Sequence, residues 1–236
     1  MSIRKVEGRW GTVYYEGKDE YVGKSLHNYG EYNPEETEMI LSLAKGLCLD
    51  IGANFGVMTQ ALEKNGFECI AFEPQPYVFK ILQMNVKNCR NFGLGDMPGS
   101  FKMPKIFDGD RANYGGNGIL REGMEIPVGY PTIEVHVKTL DSLQLDNVGF
   151  MKIDVEGFEE KVLRGAVETI KRCRPTMYIE DDRIENSARL RHFIKELGYS
   201  IKEHKPPLYS PDNFFKKKVN MWDKNYVSHN IICRPL

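Results

Sequence analysis

No apolar run in this chain approaches the roughly 20 residues that a membrane-spanning helix needs. Its first residues, Met1-Ser2-Ile3-Arg4-Lys5-Val6-Glu7, lack the apolar core of a secretory signal. Cysteine is scarce and scattered. Cys48, Cys69, Cys89, Cys173 and Cys233 form an odd set with no CxxC pair and no zinc-type spacing, which argues against a disulfide framework and a cysteine-held metal. Charge of one sign is not in excess: 32 basic against 33 acidic residues leave a net charge of -1, so electrostatics make no case for a nucleic-acid partner. Repeats, low-complexity tracts and long Gly/Ser linkers are lacking too, and residues 1–236 read as one domain. A cytoplasmic protein is expected, with neither membrane nor nucleic acid among its partners.

What is present is an ordinary globular composition, 41% hydrophobic and 28% charged, in a chain long enough to bury a sizeable core. From residue 47 onward, short apolar runs alternate with helical periods. Leu47-Cys48-Leu49-Asp50-Ile51, Cys69-Ile70-Ala71-Phe72, Phe150-Met151-Lys152-Ile153 and Met177-Tyr178-Ile179 read as buried strands, with a further strand expected near Phe92-Gly93-Leu94. Tyr199-Ser200-Ile201 and Asn230-Ile231-Ile232-Cys233 are later strand candidates. Between them, Met58, Ala61 and Leu62 share a helix face, as do Val78, Ile81, Leu82 and Val86. A single apolar face is expected over Val162, Leu163, Ala166, Val167 and Ile170, and another over Leu190, Phe193, Ile194 and Leu197. This alternation predicts an α/β protein with a mainly parallel sheet covered by helices on both faces. Residues 97–137 read as an inserted β or loop region, and residues 205–229, with three prolines and several aromatics, as a loop or lid.

Three segments carry chemistry. In Leu49-Asp50-Ile51-Gly52-Ala53-Asn54-Phe55-Gly56 a strand ends in an acidic residue, then two glycines lead into a helix. Ligands of open parallel sheets bind outside the carboxyl ends of the strands, and glycine lets a ligand approach the backbone closely. Glu73 follows at the next strand end, 21 residues after Gly52, where a carboxylate can accept from both hydroxyls of a ribose; Pro74 stops that strand. The fingerprint of a nicotinamide cofactor needs G-x-G-x-x-G, and only G-x-x-x-G is present here. A ligand with one nucleoside and no pyrophosphate fits better, and S-adenosylmethionine is such a ligand.

The third segment is Lys152-Ile153-Asp154-Val155-Glu156-Gly157-Phe158-Glu159. Asp154 and Glu156 are two apart in extended chain, so their side chains can point the same way. Such a pair at a strand end suits acid/base work or the binding of substrate hydroxyls, while Glu159 reads as a partner of the helix dipole. His136, in Ile133-Glu134-Val135-His136-Val137, is the alternative base, and the expected site contains no metal.

These segments resemble the FkbM-type S-adenosylmethionine-dependent methyltransferases. The likeness is carried by Asp50-Ile51-Gly52-Ala53-Asn54-Phe55-Gly56, Phe72-Glu73-Pro74, Leu94-Gly95-Asp96, Leu140-Asp141-Ser142-Leu143 and Lys152 to Glu159. Tyr29-Gly30-Glu31 and Asn113-Tyr114-Gly115-Gly116 also resemble family elements. The resemblance runs from about residue 29 to about residue 203. It implies a Rossmann-like seven-stranded methyltransferase sheet and transfer to oxygen, often on a sugar or other small-molecule acceptor. By the same resemblance Gly52, Asn54 and Gly56 would line the methionine end, with Asp50 at the strand tip behind them. Glu73 with Pro74 would hold the ribose, Asp96 would lie near the adenine, and Glu31 would close the cofactor site. Residues 1–46 would be an extension covering that site. Asp154 is the first choice for base or hydroxyl-orienting group, and Glu156 the second. A small nicotinamide oxidoreductase, a non-catalytic nucleoside-binding module and a metal-assisted O-methyltransferase are the rival readings.

Overall fold

The computed structural model describes residues 2–106, 113–120, 129–223 and 226–236. A hairpin of β1 (Ile3–Gly8) and β2 (Gly11–Glu16) leads into α1 (Val22–Tyr29) and α2 (Pro34–Leu43). The alternating part begins with β3 (Leu47–Ile51), α3 (Val57–Lys64), β4 (Cys69–Phe72), α4 (Pro76–Asn85) and β5 (Cys89–Arg90). Next come β6 (Gly93–Leu94), β7 (Gly99–Pro104) and β8 (Thr132–Lys138). The chain ends with β9 (Val148–Ile153), α5 (Glu159–Arg164), α6 (Val167–Cys173), β10 (Thr176–Glu180), α7 (Ile184–Glu196), β11 (Tyr199–His204) and β12 (Asn230–Pro235).

Seven strands form the main sheet in the order β11-β12-β10-β9-β3-β4-β5. β10, β9, β3, β4 and β5 are parallel, while β12 runs antiparallel to β10 and β11. Helices connect β3 to β4, β4 to β5, β9 to β10 and β10 to β11, whereas β5 leads to β9 through β6, β7 and β8, and β12 follows β11 with no helix among the described residues between them. The period of two sorts the side chains. Leu49, Ile51, Met151, Ile153, Met177 and Ile179 pack with α5, α6 and α7 on one face. Cys48, Phe150 and Tyr178 pack with α2 and α3 on the other. The sheet is therefore the expected mostly parallel one, with helices on both faces. Among the described residues no helix is long and apolar enough to cross a membrane.

Two details differ from expectation. Phe92-Gly93-Leu94 is not the third strand of the main sheet: Cys89–Arg90 is, and Gly93–Leu94 pairs with β8 in a separate three-stranded sheet with β7. The edge strand is only two residues long and barely apolar, so periodicity favoured its neighbour, whose Leu94 is buried in the core. The apolar face expected over 162–170 is split between α5 and α6 at Gly165-Ala166. A Cβ on Gly165 would stand 1.8 Å from the Gly95 carbonyl oxygen, so the backbones touch there. Asp141 restarts the helix as a cap: its carboxylate accepts from the Thr169 N–H at 2.8 Å, the Thr169 hydroxyl at 2.7 Å and the Glu168 N–H at 3.1 Å.

The hairpin docks on α4. Asn85 accepts from the Tyr14 N–H and donates to the Tyr14 and Phe55 carbonyls, each at 2.7 Å. Residues 205–223 lie over α1 and its exit. The Phe215 N–H donates to the Tyr29 carbonyl at 3.0 Å, and the Tyr29 hydroxyl donates to the Val219 carbonyl at 3.0 Å.

Candidate active site

The carboxyl ends of β3, β4, β9 and β10 open into a cavity of about 560 Å³, within the size range of small-molecule sites. Three alternate residues after β3, Gly52, Asn54 and Gly56, have positive φ (83, 50 and 83°). A Cβ on Gly52 would lie 1.8 Å from the Asp154 carbonyl oxygen, so only glycine lets the tips of β3 and β9 come this close. Gly52 and Asn54 line the cavity. Gly56 does not: its Cβ would meet Leu82 at 2.6 Å and Val86 at 2.7 Å, so it serves the packing of α4.

Glu73, at the tip of β4, lines the cavity with Pro74. Its two oxygens accept from the Gln75 N–H at 2.8 Å and the Asn54 N–H at 3.1 Å. Burial still pushes its carboxyl up to about 7, against those two N–H groups.

The part of the cavity formed by β9 and β10 is ionic. Lys152, paired in register with Asp50, is buried, with its ammonium 3.0 Å from Asp154 and 3.7 Å from Asp50. Burial opposes its charge, but Asp154, Asp50 and Glu36 outweigh that and raise its pKa. Glu156 sits at φ 56°, an uncommon conformation for a non-glycine residue, and is paired with Arg183. Burial and Asp154 push its carboxyl up to about 8. Glu180 ends β10 beside them. Its Oε2 is buried without a hydrogen-bond partner among the described residues, and burial together with Asp154 and Glu156 holds its pKa well above the ordinary range. Asp182, Glu36 and Tyr32 complete this wall. Glu159 does not line it: its Oε1 accepts from the Gly157 N–H at 2.9 Å and the Val155 N–H at 3.3 Å, bracing the turn.

Besides Gly56, four expected site residues stand elsewhere. Asp50 lies behind the cavity wall, fully buried, accepting from the Thr59 hydroxyl at 2.6 Å. The period of two turns it toward α3 and Lys152 rather than toward a ligand. Glu31 is a structural tie, paired with Arg9 and accepting from the Phe214 N–H at 2.6 Å. Asp96 faces α5, with Oδ2 3.9 Å from the Lys161 ammonium, because the contact of Gly95 with Gly165 aims the chain there. His136 is exposed on β8, 3.4 Å from the Ser100 hydroxyl and away from the cavity; in the alternating strand Val135 and Val137 face inward and His136 outward. Residues 113–118 approach the glycine loop instead: a Cβ on Gly115 would lie 2.7 Å from Asn54 Nδ2.

Lys152, Glu180, Asp182, Arg183, Glu36 and Tyr32 were not picked as site residues from the sequence. A signal existed for two of them, since Lys152 and Glu180 place charge in or at the end of otherwise apolar strands. The others come from α2, the segment just before it and the β10–α7 turn, which only the fold brings to the cavity.

The mostly parallel seven-stranded sheet, with its strand tips opening on the cavity, defines a Rossmann-like methyltransferase fold, shared with solved structures at low identity. The FkbM methyltransferase of Methylobacillus flagellatus matches with a TM-score of 0.52 and 16% identity over 91% of this chain, which spans 55% of that one. Precorrin-6y C5,15-methyltransferase of Geobacter metallireducens matches with a TM-score of 0.53 and 14% identity, covering 86% of this chain and 88% of that one. Magnesium protoporphyrin IX methyltransferase of Synechocystis PCC 6803, solved with S-adenosylmethionine bound, matches with a TM-score of 0.50 and 10% identity, covering 92% of this chain and 85% of that one. No curated protein matches the sequence. The methyltransferase FkbM domain model matches residues 50–201, and the chain belongs to that family.

Proposed function

We propose that the protein transfers a methyl group from S-adenosylmethionine to a hydroxyl of a sugar or other small-molecule acceptor. The observation that carries this reading is the placement of Asp154. Its carbonyl abuts Gly52 in the glycine loop, and its carboxylate opens on the acceptor side of the same cavity. The residues suit the adenosyl group. Gly52 leaves room against the backbone, and each Glu73 oxygen, already accepting one N–H, keeps a lone pair for a ribose hydroxyl.

Bound there, S-adenosylmethionine supplies an electrophilic methyl group on a cationic sulfur. The chain supplies position and a proton acceptor. Lys152 holds Asp154 Oδ2 at 3.0 Å, which fixes the side chain and leaves Oδ1 for the acceptor O–H. A base so placed contributes about 10²–10⁴-fold, and alignment of the two reactants contributes more. The carboxyl groups of the cavity wall suit hydrogen bonding to a polyhydroxyl acceptor.

Titration calorimetry with S-adenosylhomocysteine and NAD side by side tests the cofactor. Heat with the first alone is expected, and heat with NAD alone would overturn the reading. Labelled methyl transfer to a panel of monosaccharides and polyols tests the acceptor. Asp154→Asn is expected to keep S-adenosylhomocysteine affinity within a few-fold while turnover falls about 100-fold or more.

A further inference from the structure

One oxygen each from Asp154, Glu156 and Glu180 lies within 4.8 Å of the others, at the end of the cavity beyond the glycine loop. Three carboxylates this close repel one another unless they hold protons or a cation lies among them. Lys152 is engaged with Asp154 and Asp50, and Arg183 with Glu156 and Asp182. Glu180 Oε2 is buried and has neither hydrogen bond nor ion pair among the described residues.

A second, separate group points the same way. Asn230, directly opposite Glu180 in the β10–β12 pairing, also lines the cavity. It is 5% exposed, and its side-chain amide nitrogen is buried with no acceptor among the described residues. An unpaired carboxylate oxygen and an unpaired amide on adjacent strands, facing one cavity, mark a place where a ligand completes the bonding.

We propose that Asp154, Glu156 and Glu180 bind a hard divalent cation of the magnesium or manganese type, with the Asn230 amide hydrogen-bonding an oxygen of its shell. The donor set is all oxygen, as such ions require. Three protein oxygens leave coordination positions open to water and to acceptor oxygens. Each carboxylate offers one oxygen to the ion. Ion binding stands apart from the methyl-transfer reading, whereas its role in holding the acceptor rests on that reading.

The test uses the full chain, stripped with EDTA and titrated with manganese at mildly alkaline pH under electron paramagnetic resonance. One tightly held Mn²⁺ per chain is expected, displaced by excess Mg²⁺. Glu180→Gln, checked for native circular dichroism, is expected to weaken Mn²⁺ binding about tenfold or more, while S-adenosylhomocysteine affinity stays within twofold. Absence of stoichiometric Mn²⁺ from the wild-type protein, or unchanged binding by a folded Glu180→Gln, overturns the proposal. If that variant fails to fold, Asn230→Ala replaces it, with at least threefold weaker Mn²⁺ binding expected and unchanged binding counting against the site. Loss of S-adenosylhomocysteine binding with Mn²⁺ retained would instead sink the cofactor reading alone.

Discussion

The ammonium of Lys152 lies 3.0 Å from the Asp154 carboxylate, at the point where a buried strand becomes the wall of the cavity. The same ammonium is 3.7 Å from Asp50, so one cation serves a fully buried carboxylate and the proposed catalytic one.

Removing that cation should therefore damage both stability and function. Lys152→Met is expected to lower the unfolding free energy by about 3–5 kcal/mol, because Asp50 is left charged and unpaired inside the sheet. Lys152→Met with Asp50→Asn should recover a large part of the loss. Urea unfolding followed by circular dichroism measures both.

Gly52 and Gly66 have nearly the same φ, 83 and 85°, yet a Cβ on Gly66 meets nothing within 4 Å. Gly66→Ala should cost only the backbone strain, about 1 kcal/mol. Gly52→Ala carries the same strain and a collision with the Asp154 carbonyl, so it should also weaken S-adenosylhomocysteine binding at least tenfold. Thermal melts and calorimetry on the pair separate backbone strain from the close approach of the two strand tips.

The buried carboxyls predict an unusual pH dependence. Burial lifts Glu36, Glu73 and Glu159 from an ordinary 4.5 to about 7, and Glu156 to about 8. Between those limits the folded state binds more protons than the unfolded one, so stability falls as pH rises. The extra stability is fully present below about 4.5 and is lost as pH climbs through 7 to 8. Without added cofactor or divalent cation, melting temperature should drop from pH 5 to pH 8. Glu36→Gln mimics the protonated acid and should flatten that slope, gaining on the order of 1–3 kcal/mol at the alkaline end.

Glu31 joins the hairpin, through Arg9, to the Phe214 N–H of the C-terminal segment. That segment supplies Leu208, Tyr226 and Ser228 to the cavity wall, and Trp222 stacks on Tyr21 at 5.7 Å. Glu31→Ala should expose residues 205–229 to limited proteolysis, raise KM for the acceptor several-fold and leave S-adenosylhomocysteine affinity nearly unchanged. Protease mapping and steady-state kinetics check it.

The sequence alone determined the alternation of strands and helices, the glycine turn after β3, and the carboxylates at three strand tips. Those features are local: a period of two or 3.6 and a turn residue are written within a few positions of one another. It could not say that Asp50 points into the sheet, that His136 faces away from the cavity, or that Asp141 caps a helix 27 residues away. Nor could it bring Glu180 beside Asp154 and Glu156, since that juxtaposition depends on which strand lies next to β9. Strand order and side-chain direction emerge when the sheet closes its core. The tertiary structure therefore decided which carboxylates line the cavity, which brace the fold, and which have no partner among the described residues.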